Sequence, residues 1–148
     1  MSPCPTHKTG YTASMTPEAK AAPIFHLSFP VSDLDEAIAF YSTLGGMVGR
    51  RERGWADVAL FGVQLTLQHV PKDVLQPMPR SRHFGATLSW QDWEHLVARL
   101  TGFVEGPRID FSGTEREQAK AMVADPSGNL IELKAYRQPA AVLGQLAP

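Results

Sequence analysis

The chain has very little cysteine and no long apolar run. Its 148 residues include one cysteine, Cys4, so no disulfide can form within the chain. No stretch approaches the roughly 18–20 apolar residues of a membrane-spanning helix, and the N-terminus lacks the apolar core of a secretory signal. Lys and Arg number 14 and Asp and Glu number 15, which gives a net charge of −1. Binding to nucleic acid or to a membrane surface requires a concentrated positive field, so we expect neither, and we expect a soluble, cytoplasmic protein.

Several sequence signatures of catalysis are also missing. There is no glycine-rich phosphate loop, no nucleophile elbow and no pair of cysteines two residues apart. Nucleotide, serine-hydrolase and thiol chemistry therefore have no support. The composition, with 43% hydrophobic and 20% charged residues, is typical of a single globular domain.

The two ends of the chain differ from the part between them. Residues 1–23 are rich in Pro, Ser, Thr and Ala, and we expect a flexible leader in which Cys4 and His7 are solvated. Residues 137–148 are rich in Ala and Pro, and we expect a loose tail. A single domain is predicted over 24–136.

Within that domain the hydrophobic pattern occurs twice. Each half is predicted to contain a strand, a helix and three further strands, and a proline-rich linker over 71–81 separates them. The first half covers about 24–70 and the second about 82–136. The predicted strands are 24–31, 47–51, 55–61 and 63–69 in the first half, and 82–89, 104–111, 118–124 and 129–136 in the second. The predicted helices begin at Ser32 or Asp33 and at Trp90.

The two halves also share a register. His26 and His83 each have a serine six residues later and an aspartate nine residues later. Such internal duplication indicates two equivalent βαβββ units. Each is too small to bury a good core alone, so we expect the half-sheets to pair, either within one chain or between two chains.

Four polar residues occupy equivalent places in the repeat. His26 and His83 lie in the opening strands, and Gln64 and Glu132 lie in the closing strands. Two imidazoles and one carboxylate form the ligand set that suits Fe(II) with open coordination positions. Gln64 is expected to be a weak fourth ligand or to hydrogen-bond the substrate.

A family resemblance rests on several short segments. They are 25–31, 39–41, 55–57, 61–64, 83–85, 92–93 and 125–134. Together they resemble the vicinal oxygen chelate superfamily, which includes glyoxalase I, fosfomycin and bleomycin resistance proteins, and type I extradiol dioxygenases. Within it, the chain is most similar to small two-module proteins regarded as extradiol-type dioxygenases.

The resemblance implies an α+β fold in which paired βαβββ modules form a cupped mixed sheet around a divalent metal. His26, His83 and Glu132 match the metal positions of the superfamily. Gln64 falls where glyoxalase-like members often have a carboxylate, so this chain offers one anionic ligand. The resemblance also implies a homodimer and a small-molecule substrate.

Three functions follow from the resemblance. The favoured one is an Fe(II) extradiol-type dioxygenase acting on a small catechol-like or enolisable compound. A glyoxalase-like isomerase or lyase and a non-catalytic drug-binding protein are the alternatives, and Mn(II), Ni(II) or Zn(II) are the other candidate metals. Extradiol cleavage also requires an acid or base near the metal, for which His69 and Tyr136 are the candidates. His69 has the opposite strand parity to Gln64, so it would need a bulge or strand end to reach the metal.

Overall fold

A computed structural model describes residues 22–147, and its first half forms one four-stranded sheet with one helix. Strand β1 is followed by helix α1, and strands β2, β3 and β4 complete the unit in the sheet order β1-β4-β3-β2. β1 runs parallel to β4, and the other neighbours are antiparallel. The bounds are β1 His26–Val31, α1 Leu34–Thr43, β2 Met47–Arg51, β3 Trp55–Leu60 and β4 Val63–His69.

The second half repeats this arrangement. Its sheet has the order β5-β8-β7-β6, with β5 parallel to β8. The bounds are β5 Phe84–Leu88, α2 Trp90–Val97, β6 Phe103–Asp110, β7 Gln118–Ala124 and β8 Leu130–Tyr136. The predicted duplication and the α+β class with two βαβββ units are therefore confirmed.

The ends of the chain differ in what the structure describes. Most of the predicted leader, including Cys4 and His7, lies outside the described residues. After β8, where we expected loose chain, helix α3 covers Pro139–Leu143 and a 3₁₀ turn covers Gly144–Leu146. Proline is favourable in the first turn of a helix, because its missing N–H has no partner there anyway.

Capping explains where the two main helices begin, and it corrects the predicted register. The Asp33 carboxylate accepts a hydrogen bond from the Glu36 amide at 2.9 Å, and Ser89 accepts one from the Asp92 amide at 3.1 Å. His26 therefore lies seven residues before its cap, whereas His83 lies six residues before its own. His26 is the first residue of β1, whereas His83 lies just before β5 rather than inside it.

The buried side chains of both halves form one continuous core. Val31 and Tyr41 in the first half and Ile131 and Leu133 in the second are fully enclosed. The Phe29 and Phe84 rings meet across the junction of the halves with their centroids 5.0 Å apart. Trp93 is buried too, and its indole N–H donates to the Leu133 carbonyl at 3.0 Å. Trp93 therefore serves packing, and the shared core holds the two sheets together.

Hydrogen bonds cross the same junction. The Asn129 side-chain amide donates to the Pro30 carbonyl at 2.9 Å, and the Ser32 amide donates to the Ser127 hydroxyl at 2.9 Å. The predicted turn between β7 and β8 therefore also joins the second half to the end of β1.

A buried carboxylate organises that turn. Asp125 accepts hydrogen bonds from the backbone amides of Ser127 and Asn129, from the Asn129 side chain and from the Tyr41 hydroxyl, all within 2.8–2.9 Å. Burial, followed by the charge of Asp125, raises the pKa of Tyr41 far above its ordinary value. The tyrosine thus stays a neutral donor to a buried anion.

None of the helices within residues 22–147 is long and apolar enough to cross a membrane.

Candidate functional site

His26 and Gln64 lie side by side on the open face of the first sheet. They are direct partners in the pairing of β1 with β4. An open cavity of about 410 Å³, here called the first cavity, contains both side chains. Its lining is mostly polar and consists of His26, Arg50, Trp55, Asp57, Gln64, Thr66 and Gln68.

His83 and Glu132 form the corresponding pair in the second half. They line a second cavity of about 220 Å³, and His83 Nε2 lies 3.1 Å from Glu132 Oε2. His83 Nδ1 lies 3.2 Å from the Arg80 carbonyl oxygen. A neutral ring that donates its Nδ1 proton to that carbonyl presents the Nε2 lone pair to the carboxylate. The two atoms are within hydrogen-bonding distance, and once no proton lies between them both offer lone pairs, so the chemistry of this pair fits a divalent metal.

A lysine completes the second cavity. The ammonium nitrogen of Lys134 lies 2.8 Å from Glu132 Oε2. Strand alternation places the two side chains on the same face of β8. The carboxylate therefore has a positively charged neighbour in addition to the His83 ring.

Gly85 allows β5 to lie close to the strand that carries Glu132. The two residues are direct partners, and a Cβ atom on Gly85 would lie 1.8 Å from the Glu132 carbonyl oxygen. Since two non-bonded atoms cannot lie so close together, a side chain at residue 85 would push β8 away. The absence of a side chain at residue 85 thus fixes the position of a candidate metal ligand.

We therefore expect Gly85→Ala to lower the free energy of unfolding by about 1–3 kcal/mol through overpacking. Gly54→Ala is the matched control, because a Cβ atom there would meet nothing within 4 Å. It should change the stability by less than about 1 kcal/mol. Denaturant unfolding of the three proteins measures both effects, and equal stability of Gly85→Ala and wild type would contradict the argument.

The structure brings the four predicted ligands together only as two pairs. His26 and Gln64 share the first cavity, and His83 and Glu132 share the second. Within residues 22–147 of one chain, no three His, Cys, Asp or Glu side chains converge on a possible metal position. One chain therefore presents the four predicted ligands as two separate pairs.

The candidate acid–base residues lie elsewhere. His69 is exposed at the end of β4, where its partner is Val31, and Tyr136 is at the end of β8, where its partner is Gln118. Neither side chain lines the first or the second cavity. Side chains alternate along β4, and His69 lies on the opposite face from Gln64. The strand has no irregularity at its end that would turn the His69 ring toward Gln64.

Sequence reasoning missed an arginine in the first cavity. Asp57 is only 6% exposed, and its Oδ1 accepts a hydrogen bond from the Thr66 hydroxyl at 2.6 Å. Its Oδ2 lies 2.9 Å from Arg50 Nε and 2.7 Å from Arg50 Nη2. The Thr66 hydrogen bond, with a smaller effect of Arg50, holds the pKa of Asp57 below its ordinary value. The Arg50 guanidinium also lies over Trp55, 5.1 Å from the ring centroid. Nothing in the local sequence distinguishes Arg50 from its neighbours Arg51 and Arg53.

Comparison with known proteins gives a family match over most of the chain. Residues 24–133 match the family model of the glyoxalase/bleomycin resistance protein/dioxygenase superfamily. The crystal structure of a glyoxalase/bleomycin resistance protein/dioxygenase from Alicyclobacillus acidocaldarius is 30% identical in sequence. That match covers 81% of this chain and 96% of the other, with a TM-score of 0.67.

Two less similar structures share the fold. The fosfomycin resistance protein FosX from Listeria monocytogenes is 16% identical over 82% of this chain and 99% of its own, with a TM-score of 0.64. A bleomycin-binding protein, solved in complex with bleomycin, is 22% identical over 78% of this chain and 100% of its own, with a TM-score of 0.53.

Proposed function

Because the chain belongs to the glyoxalase/bleomycin resistance protein/dioxygenase superfamily, we propose that it is a metal-dependent enzyme whose divalent metal is bound by His26, His83 and Glu132. The observation that carries the proposal is the 3.1 Å approach of His83 Nε2 to Glu132 Oε2, with His83 Nδ1 directed at a backbone carbonyl. A backbone acceptor on the second nitrogen is the usual way in which a protein orients a metal-binding imidazole.

The third ligand is proposed to come from a second copy of the chain. In one chain His26 opens into a different cavity from His83 and Glu132. β1 and β5 are both edge strands of their sheets, so each has one side available for a neighbour. A homodimer that joins the first half of one chain to the second half of its partner would complete two equivalent sites, with Gln64 beside His26 in each.

The favoured activity is that of an Fe(II) extradiol-type dioxygenase on a small compound with two adjacent oxygens, such as a catechol. Two histidines and one carboxylate suit Fe(II), and one carboxylate leaves a divalent ion with a formal charge of about +1. Such an ion, when bound, would favour a bidentate anionic oxygen ligand and lower the pKa of a coordinated hydroxyl. The protein residues hold that ion, and Lys134 adds a positive charge at the cavity wall.

A neutral residue at position 64 removes one of the side chains that could move a proton in an isomerase. An isomerase requires a side chain that takes a proton from carbon and returns it. The amide of Gln64 cannot do so, whereas a carboxylate at the same place could. Gln64 therefore fits the role of a weak ligand or of a hydrogen-bonding partner of the substrate.

Metal content tests the proposal directly. Protein purified without oxygen or chelators is expected to contain nearly one iron per chain, and His83→Ala is expected to contain none, because one imidazole is lost from a three-ligand site. His95→Ala is the matched control, since His95 is exposed on α2 and lines neither cavity. Elemental analysis provides the measurement.

Each other result has a definite meaning. Stoichiometric nickel or zinc would favour the isomerase. If the folded wild-type protein binds no metal even after metal is added back, the enzymatic proposal is wrong and a binding protein remains.

A further inference from the structure

We propose that Arg50 binds an acidic group of the substrate, so that the substrate is a small carboxylated compound with two adjacent oxygens, such as a catechol carboxylate. The inference rests on the proposed function for the two oxygens, whereas the carboxylate site is formed by the chain itself. Arg50 shares the first cavity with His26, so a molecule anchored there lies beside a proposed metal ligand.

A β-bulge turns Arg50 into the cavity. Val48 pairs with Val58 and Arg51 pairs with Ala56, so two residues of β2 lie opposite the single residue Asp57 of β3. In a regular ladder Arg50 would oppose Ala56, whose side chain is fully buried in the core. The extra residue places Arg50 on the face of Asp57 instead. Bulges of this kind commonly redirect a side chain at a functional site.

The guanidinium is held in place from two sides. Asp57 Oδ2 engages Nε and Nη2, and the Trp55 ring lies beneath the group. Nη1 makes no hydrogen bond to the part of the chain that the structure describes, and the arginine side chain as a whole is 73% exposed. One edge of the guanidinium is thus fixed, and its remaining donors face the open cavity. A fixed guanidinium loses little side-chain entropy when it binds a carboxylate.

The charges of the cavity favour an anion. Asp57 is buried beneath Thr66 and Arg50, whereas the arginine side chain is 73% exposed, so the guanidinium is the group of this ion pair that a ligand can reach. Apart from Asp57, the polar side chains of the lining contain no acidic group; they include His26, Gln64, Thr66 and Gln68. A cavity with one presented positive charge and neutral hydrogen-bonding groups selects a ligand with one acidic group.

The first experiment compares catechol with 3,4-dihydroxybenzoate on the iron-loaded protein without oxygen, by calorimetric titration. The carboxylated compound is expected to bind about tenfold more tightly to the wild type, because it adds a charge-assisted hydrogen bond. Arg50→Met should lose that preference, and Arg50→Lys should keep part of it. Arg53→Met is the matched control, since Arg53 is exposed and lies outside the first cavity.

A second experiment uses benzoate, which lacks the two adjacent oxygens, on the metal-free protein. We expect benzoate to change the fluorescence of the wild type, through Trp55, and to leave that of Arg50→Met unchanged. Benzoate binding in a protein that binds no metal would leave the anchor standing and refute the proposed function. Two results would refute the role of Arg50 and leave the proposed function standing, provided that metal and catechol bind. One is that Arg50→Met weakens the binding of both catechols equally, and the other is that the wild type shows no preference between them.

Discussion

Replacement of Asp125 by alanine is expected to lower the free energy of unfolding by about 3–5 kcal/mol, because it leaves several buried donors without an acceptor. The carboxylate receives four hydrogen bonds, and one of them comes from Tyr41, 84 residues away in the first half. The backbone amides of Ser127 and Asn129 are held by the same oxygen. Their loss would loosen the turn that joins the two halves. Denaturant unfolding at neutral pH provides the measurement.

Tyr41→Phe serves as the graded control. It removes one of the four donors and keeps the ring in the core, so we expect a smaller loss of about 1.5–3 kcal/mol. A loss below about 1 kcal/mol in Asp125→Ala would contradict the assigned role of the turn.

The pH dependence supplies a second readout. Burial and Asp125 raise the pKa of Tyr41 in the folded protein, whereas its pKa in the unfolded chain is near 10. A raised pKa contributes stability that is complete below the unfolded value and is lost as the pH rises above it. The wild type should therefore lose stability above about pH 10, and Tyr41→Phe should lack this part of the loss.

A mixture of two variants that each fail to bind metal is expected to recover metal binding. His26→Ala damages the first half and His83→Ala damages the second, so neither variant alone should bind metal. In a dimer that contains one chain of each variant, one site contains both substitutions and the other site contains neither. With random pairing about half of the dimers are mixed, and the mixture should hold about a quarter of the wild-type metal.

The control pairs two lesions of the same half. His83→Ala and Glu132→Ala both damage the second cavity, so each site of their mixed dimer lacks one ligand, and no recovery is expected. Elemental analysis of the co-refolded mixture gives the answer, and mixed dimers isolated by two different tags should hold about half of the wild-type metal. If mixed dimers of His26→Ala and His83→Ala form but stay metal-free, the two-chain site is wrong, and the ligands meet within one chain or not at all.

The repeated order of strands and helices could be predicted because its signals are local. Apolar spacing, the caps at Asp33 and Ser89 and the turn over 125–129 each depend on a few neighbouring residues. The pairing of His26 with Gln64 follows once β1 and β4 are adjacent. These local signals were sufficient for the fold and for the pairing of His26 with Gln64, but not for the separation of the four candidate ligands into two cavities.

The remaining features depend on contacts that the sequence pattern does not encode. The bulge that turns Arg50 into the first cavity arises from the register between β2 and β3. The bond between Tyr41 and Asp125 joins the two halves across the core. The different placement of the two histidines follows from the strand registers, because His26 pairs with Gln64, whereas Gly85 rather than His83 pairs with Glu132. Each depends on three-dimensional packing.

The turn over 125–129 also has a mechanical consequence. Asn129 holds the end of β1 through the Pro30 carbonyl, and Glu132 follows only three residues later on a rigid strand. Any rotation of one half against the other is therefore transmitted to the carboxylate as a displacement. If Glu132 binds a metal as proposed, substitutions at Pro30 or Asn129 would alter the metal affinity without contacting the ion.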